Sequence, residues 1–338
     1  MKWIEGNVSF ESPPIWAILE RELFVRMAEA VDVLIEKYVK SDGTLLWPTN
    51  ETHSDIDGLD DTYESFHNWP LLYLLGGDDK FLRYSNRQFE AITKQFASYD
   101  CGHGHPIVVN EYEQGYDWFH QGEGYEFFYL LCAADPLNTV HRERAVKYAG
   151  LYLNEDPEAM NYDADLAIIT CPHTGSKGPA SRNFDGGPWK YEWWKAYYGL
   201  PFIDIPDCLH INDMKDQSKS QWMGQVIQER WSHGDTPVNL AATSIVTNAF
   251  LFTGDCKYKQ WILRYVEAWG DRIQRNGGII PDNIGLDGEI GTYFGGKWYG
   301  GYYGWTWPHG FGAFGSALVI AGQNASIITG DLDYMNLP

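Results

Sequence analysis

Three short phrases in the sequence pair an indole with an imidazole: Trp118-Phe-His120, Trp231-Ser-His233 and Trp307-Pro-His309. Glycine follows each within two positions, at Gly122, Gly234 and Gly310, and a variant reads Phe66-His67-Asn68-Trp69. Imidazole moves or positions protons near neutral pH, and a flat ring stacks on the apolar face of a sugar. A packing motif kept by duplicated segments would read the same way. Carboxylates gather at similar points. The run Ser54-Asp-Ile-Asp57-Gly-Leu-Asp60-Asp61-Thr-Tyr-Glu64 leads into an apolar helix, where either Asp57 or Asp60 is expected to cap. Asp61 and Glu64 lie one helical turn apart, and Glu123 and Glu126 repeat that spacing beside His120. Two carboxyls from different helices divide acid and base roles when burial raises the pKa of one.

Further polar groups sit among glycines. Cys171-Pro-His173-Thr-Gly-Ser-Lys177 and Ser181-Arg182-Asn183 offer an imidazole and two cations. Asn276–Gly288 carries Asp282 through tight turns, and Lys297-Trp-Tyr299-Gly-Gly-Tyr302-Tyr-Gly-Trp305 sets aromatic rings beside glycine, as a sugar platform needs. No metal or cofactor is expected. The acidic run lacks the alternating ligands and distal Glu of a calcium loop, and the five cysteines show no C-x-x-C pair. Gly122-Glu-Gly124 has no phosphate-loop lysine after it, and no strand is read before it.

The elements that must position these residues repeat. Leu71–Asp78 followed by Phe81–Phe96, Phe127–Asp135 followed by Arg142–Leu153, and Ala249–Asp255 followed by Tyr258–Ile273 share one phrase. It runs as an apolar helix, a Gly/Asp turn and an amphipathic helix; a fourth copy opens at Ala317–Gly322, and an N-terminal helix is read over Ile15–Val39. The first helix of each copy is apolar nearly all round and expected inside; the second faces water. Side-by-side stacking of such pairs predicts a mainly α fold, an (α/α) toroid of helical hairpins forming one catalytic domain over residues 1–338. Inner helices then run in one direction, and the three triplets surround one cleft. Residues 154–236, rich in Gly, Pro, Trp and Asp, read as a loop-rich insertion over that cleft. Short strands are expected at Ala167–Thr170 and Gly278–Pro281. The copies fall short of six hairpins, so either the ring is completed unusually or the chain is part of a longer protein.

The net charge of −21 repels nucleic acid and anionic membranes, and no run suits a membrane span. Widely spaced cysteines in odd number argue for reduced thiols. With no apolar stretch after Met1-Lys-Trp-Ile-Glu5, a cytoplasmic location is expected, or a periplasmic or secreted one if a leader was removed.

Gly58-Leu-Asp-Asp-Thr-Tyr-Glu-Ser-Phe-His-Asn-Trp69, Trp118-Phe-His-Gln-Gly-Glu123 and Gly277-Gly-Ile-Ile-Pro-Asp-Asn-Ile-Gly-Leu-Asp287 carry a resemblance. Over roughly residues 57–322 the chain is similar to (α/α)6-toroid carbohydrate-active enzymes, within them to unsaturated uronyl hydrolases, exo-β-glucuronidases and heparinase-type lyases. The resemblance implies a cleft at the N-terminal side of the inner helices, acting on an oligo- or polysaccharide that contains uronic acid. In a hydrolase, Asp61 and Glu123 are the acid/base carboxyls, and His120 positions or relays a proton. Arg182 then meets the sugar carboxylate, and Trp118, Trp231, Trp307 and Tyr299 are stacking walls. Asp57, Asp60, His67, His233, Asp282, Tyr302 and His309 complete the expected substrate contacts. A lyase would draw on His173, Tyr302 and Arg182, an epimerase on His233 and His309, and a non-catalytic saccharide-binding subunit on the rings alone.

Overall fold

A computed structural model describes residues 12–47, 58–181, 190–191, 193, 199–307 and 309–337. The expected site residues Asp57 and Arg182 lie outside this set. The fold is mainly helical. Its helices are α1 (Ile15–Tyr38), α2 (Leu59–Leu74), α3 (Lys80–Phe96), α4 (Trp118–Ala134), α5 (Thr139–Gly150), α6 (Gln217–Trp231), α7 (Thr243–Thr253), α8 (Cys256–Arg275) and α9 (Gly310–Thr329).

The hairpin phrases fold as α2–α3, α4–α5 and α7–α8, with α9 opening the fourth. Gly254 ends α7 in the left-handed conformation, its N–H bonding back to Phe250, and Asp255 at once caps α8 by accepting from the Lys257 N–H. Gly330 and Asp331 do the same after α9. A left-handed residue costs glycine nothing, and aspartate satisfies an orphan N–H, so the dipeptide both stops one helix and starts the next. Helix α4 packs on α2, α5 on α7, and α9 on both α7 and α8. At the α2–α4 crossing a side chain on Gly124 would come 3.0 Å from the Asp60 Cα, so the two backbones are in near contact there. By length and composition α9 would pass for a membrane span, yet 56% of that window is buried within the protein, as for a core helix.

Much of the aromatic content is core. Tyr112 stacks on Tyr125 with centroids 4.7 Å apart, and Tyr63 stacks on Phe89 at 5.1 Å. Phe66, Phe127, Phe128 and Tyr148 fill the same interior. A smaller core joins Phe202, Ile205, Met214, Met223, Ile227 and Trp231 of the 154–236 segment to Phe294. That segment is therefore a packed unit with its own helix, α6, and not only loop.

Strands are few, and they differ in part from expectation. β3 (Tyr162–Asp163) pairs with β4 (Ile168–Ile169) inside the first predicted strand, whereas 278–281 is loop. A three-stranded sheet in the order β1-β2-β5, from β1 (Val108–Val109), β2 (Tyr112–Asp117) and β5 (His173–Gly175), was not foreseen. Strand β2 runs directly into α4, so Gly122-Glu-Gly124 does follow a strand.

Candidate active site

The β2–α4 junction places the strongest cluster of titratable groups. Asp117 is the last residue of β2 and the N-cap of α4, and is fully buried. Its carboxylate accepts from the backbone N–H groups of Phe119 and His120, the usual N-cap service. It also accepts from the His120 side chain, whose Nδ1 lies 3.0 Å from Oδ1, and from the Tyr302 hydroxyl at 3.0 Å from Oδ2. His173, which opens β5 beside β2, brings its Nε2 to 3.2 Å from the same hydroxyl. Tyr302 has one O–H hydrogen and donates it to Asp117. The His173 Nε2 therefore carries hydrogen and donates to the tyrosine oxygen. Burial alone would raise the Asp117 carboxyl, but His120 and then His173 overcome it and hold the pKa below its usual value. Burial drives His173 down to about 4 against the pull of Asp117, so its ring is neutral at pH 7. Tyr302 is pushed well above the usual phenol value, first by burial and then by Asp117.

One turn along α4 from His120 stands Glu123. Burial raises its carboxyl, His120 pulls it back, and Glu64, Asp117 and Asp61 push it up again, to about 7. Helices α2 and α4 pack together, so that Glu64 and Asp61 act electrostatically on Glu123. Asp61 is exposed and Glu64 half-buried at the start of α2. The rings around this cluster are Tyr116, stacked on His120 at 4.4 Å, and Tyr303, 6.2 Å from His120. Trp231 lies 4.8 Å from Tyr302, and Trp307 lies 5.8 Å from Tyr303.

Several expected contacts are corrected. Trp118 is 1% exposed and packs edge-on against Tyr152, so it is core and cannot wall a cleft. Trp231 is buried and donates its indole N–H to the Gly300 carbonyl, supporting the site from beneath. Asp60 is buried against Gly124 at the helix crossing. Asp282 is 0% exposed; its Oδ2 accepts from the backbone N–H groups of Gly300, Trp305 and Gly301 at 2.7, 2.9 and 3.3 Å. Burial lifts this carboxyl to about 7, with those three donors opposing. It holds a loop from a fully buried position. Trp307 and Tyr299 remain half-buried at the surface.

The three Trp-x-His phrases are not equivalent. His120 lies in the first turn of α4, His309 is the exposed residue before α9, and Trp231 ends α6. His233 bonds Ser232 at 2.6 Å and sits edge-on to Tyr293 at 3.8 Å. His67, half-buried within α2, bonds Asn68. Asp117 was not foreseen, although an aspartate directly before Trp118-Phe-His120 carries a cap signal. No group of three or more His, Cys, Asp or Glu among the described residues is arranged to hold a metal ion.

A family model described as a domain of unknown function (DUF8034) matches residues 3–338, and the chain belongs to that family. No curated protein and no solved structure matches it.

Proposed function

We propose that this member of the DUF8034 family is a glycoside hydrolase acting on a saccharide that contains uronic acid, with Glu123 as its acid. The observation that carries the reading is the Glu123 carboxyl, exposed yet raised to about 7, first by desolvation and further by the carboxyls of Glu64, Asp117 and Asp61 at the start of two adjacent helices. Such a group is partly protonated at neutral pH, and carboxylates nearby stabilise positive charge. Glu123 protonates the glycosidic oxygen as the C–O bond breaks; Asp61, across on α2, faces the positive charge that develops on the sugar ring. His120, oriented by Asp117, sets the proton equilibrium of Glu123. The succession of hairpins with adjacent inner helices supports an (α/α)-toroid arrangement, with Trp307 and Tyr299 as stacking rings and Arg182 as the partner of the uronyl carboxylate.

The test uses an aryl β-glucuronide and uronate-containing oligosaccharides, with release of aglycone or reducing ends as the readout. E123Q is expected to lower kcat by about 10²–10⁴-fold, and D61N comparably. Near-normal turnover in both variants overturns the assignment.

The Tyr302–His173 contact favours a second reading, β-elimination. A neutral imidazole beside a tyrosine offers a base for the C5 proton and an acid for the leaving oxygen. Elimination leaves a conjugated double bond that absorbs in the far ultraviolet, whereas hydrolysis leaves none. Absorbance gained with each new reducing end selects this reading.

A further inference from the structure

The loop from Trp298 to Trp307 contributes Tyr302 to the site, yet it is built largely of glycine and exposed or half-buried rings. Its rings pack on neighbours, Tyr302 against Trp231, Tyr303 against Phe119 and Trp305 against Phe314. The backbone N–H groups between those rings gather on one carboxylate. Asp282 sends its own N–H to the Trp298 carbonyl at 2.7 Å, and its Oδ2 collects the N–H groups of Gly300, Gly301 and Trp305. Gly301 and Gly304 lie flat against it, and a Cβ on either would collide with the Asp282 backbone or carboxylate. The donors bracket Tyr302 on both sides, two residues before and one after. Beyond the loop, the Tyr302 hydroxyl meets Asp117 and His173.

We infer that Asp282 is a positioning residue: by gathering these three N–H groups it sets the Tyr302 hydroxyl against Asp117 and His173. The inference rests on the site proposed above, whichever of the two reactions it performs. Asp282 itself is fully buried. It acts over a short chain in which loop geometry fixes Tyr302, and Tyr302 donates to the Oδ2 of Asp117, whose two oxygens also meet the His120 ring. An amide at position 282 keeps the shape and one acceptor oxygen, but it can never carry the negative charge that draws the three N–H groups, and it puts an NH2 group where the carboxylate has its second oxygen. The Thr236 hydroxyl, which donates to the Tyr302 carbonyl at 2.9 Å, holds the backbone but not the N–H groups on either side.

The test is a double-mutant cycle in the whole chain with D282N, Y302F and the double variant. Two readouts are taken: the imidazole titration of His173 by NMR, and kcat and KM on an aryl β-glucuronide or a uronate oligosaccharide. D282N is expected to shift the His173 titration and to lower kcat about tenfold while KM stays within about twofold. In the Y302F background D282N adds no further change, because the group it positions is gone. A folded D282N with an unchanged His173 titration overturns the inference, as do losses from D282N and Y302F that simply multiply. Where D282N does not fold, G304A presses the loop off the carboxylate with Asp282 intact, and its His173 titration decides in the same way. The NMR readout needs no turnover. Failure here is thus distinct from failure of the hydrolase reading, which appears as normal turnover in E123Q and D61N.

Discussion

Glu123 feels opposing fields: His120 stabilises its anion, while burial and three neighbouring carboxyls oppose it. Because the acid form does the work, the rate is expected to fall as pH rises through about 7, and E123Q should lose that limb along with most of its activity. A pH–rate profile of the two proteins checks this, and a limb that persists in E123Q would place the ionisation elsewhere. At this scale the sequence was legible where chemistry is local. Glu123 beside His120, and Asp61 one turn from Glu64, could be read from spacing alone. In the sequence His173 and Tyr302, 129 residues apart, group only as an inventory for a lyase, and the Tyr302–Asp117 contact, across 185 residues, could not be read at all. Trp118 shows the opposite error: polar neighbours in sequence suggested a cleft, but the strand entering α4 turns its ring into the core.

Two glycines separate two ways in which an element depends on lacking a side chain. Gly254 has φ +66 and nothing within 4 Å of an added Cβ, so Gly254→Ala pays only for the left-handed backbone, about 1–2 kcal/mol. Gly124 has ordinary helical geometry but faces the Asp60 backbone; Gly124→Ala must push α2 from α4 and should cost about 1–3 kcal/mol. Urea midpoints at unchanged slope measure both. The readout that distinguishes them is activity: displacing α2 moves Asp61 relative to Glu123, so only Gly124→Ala should also lower kcat. The hairpins themselves were legible because caps and turns are short-range signals. The β1-β2-β5 sheet was not, since its strands are short and β5 joins β2 from far along the chain.

For the molecule as a whole, raised carboxyls set the pH dependence of stability. Asp282 and Glu123 at about 7 and Asp235 at about 6 bind protons more tightly folded than unfolded. Between about pH 4 and 7 the native state therefore holds more protons, and stability falls as pH rises through that window. His173 works the other way: held neutral to about 4, it costs stability as pH drops below its unfolded value near 6.5. Three carboxyls outweigh one imidazole, and relief of a net charge of −21 adds to them. The melting temperature is thus expected to be higher at pH 5.5 than at pH 8, as calorimetry at the two values would show; the reverse order would mean these carboxyls are not raised in the folded protein. Toward stronger acid the trend reverses. Asp204, held at about 2 first by its hydrogen bond to Arg230, gives stability that is lost as pH falls from its unfolded value through 2.

The Gly254-Asp255 turn has a consequence for how such a chain arises. Two adjacent residues end one helix and begin the next using only backbone groups within four positions of themselves. A segment copied with that dipeptide brings its own punctuation and needs nothing from its new surroundings to form a hairpin. Gly330-Asp331 has the same two-residue grammar at another site. Lineages could therefore add or drop hairpins by duplication and deletion while each unit still folded. Divergence would then fall on the face that meets the neighbour, where the inherited turn has no say.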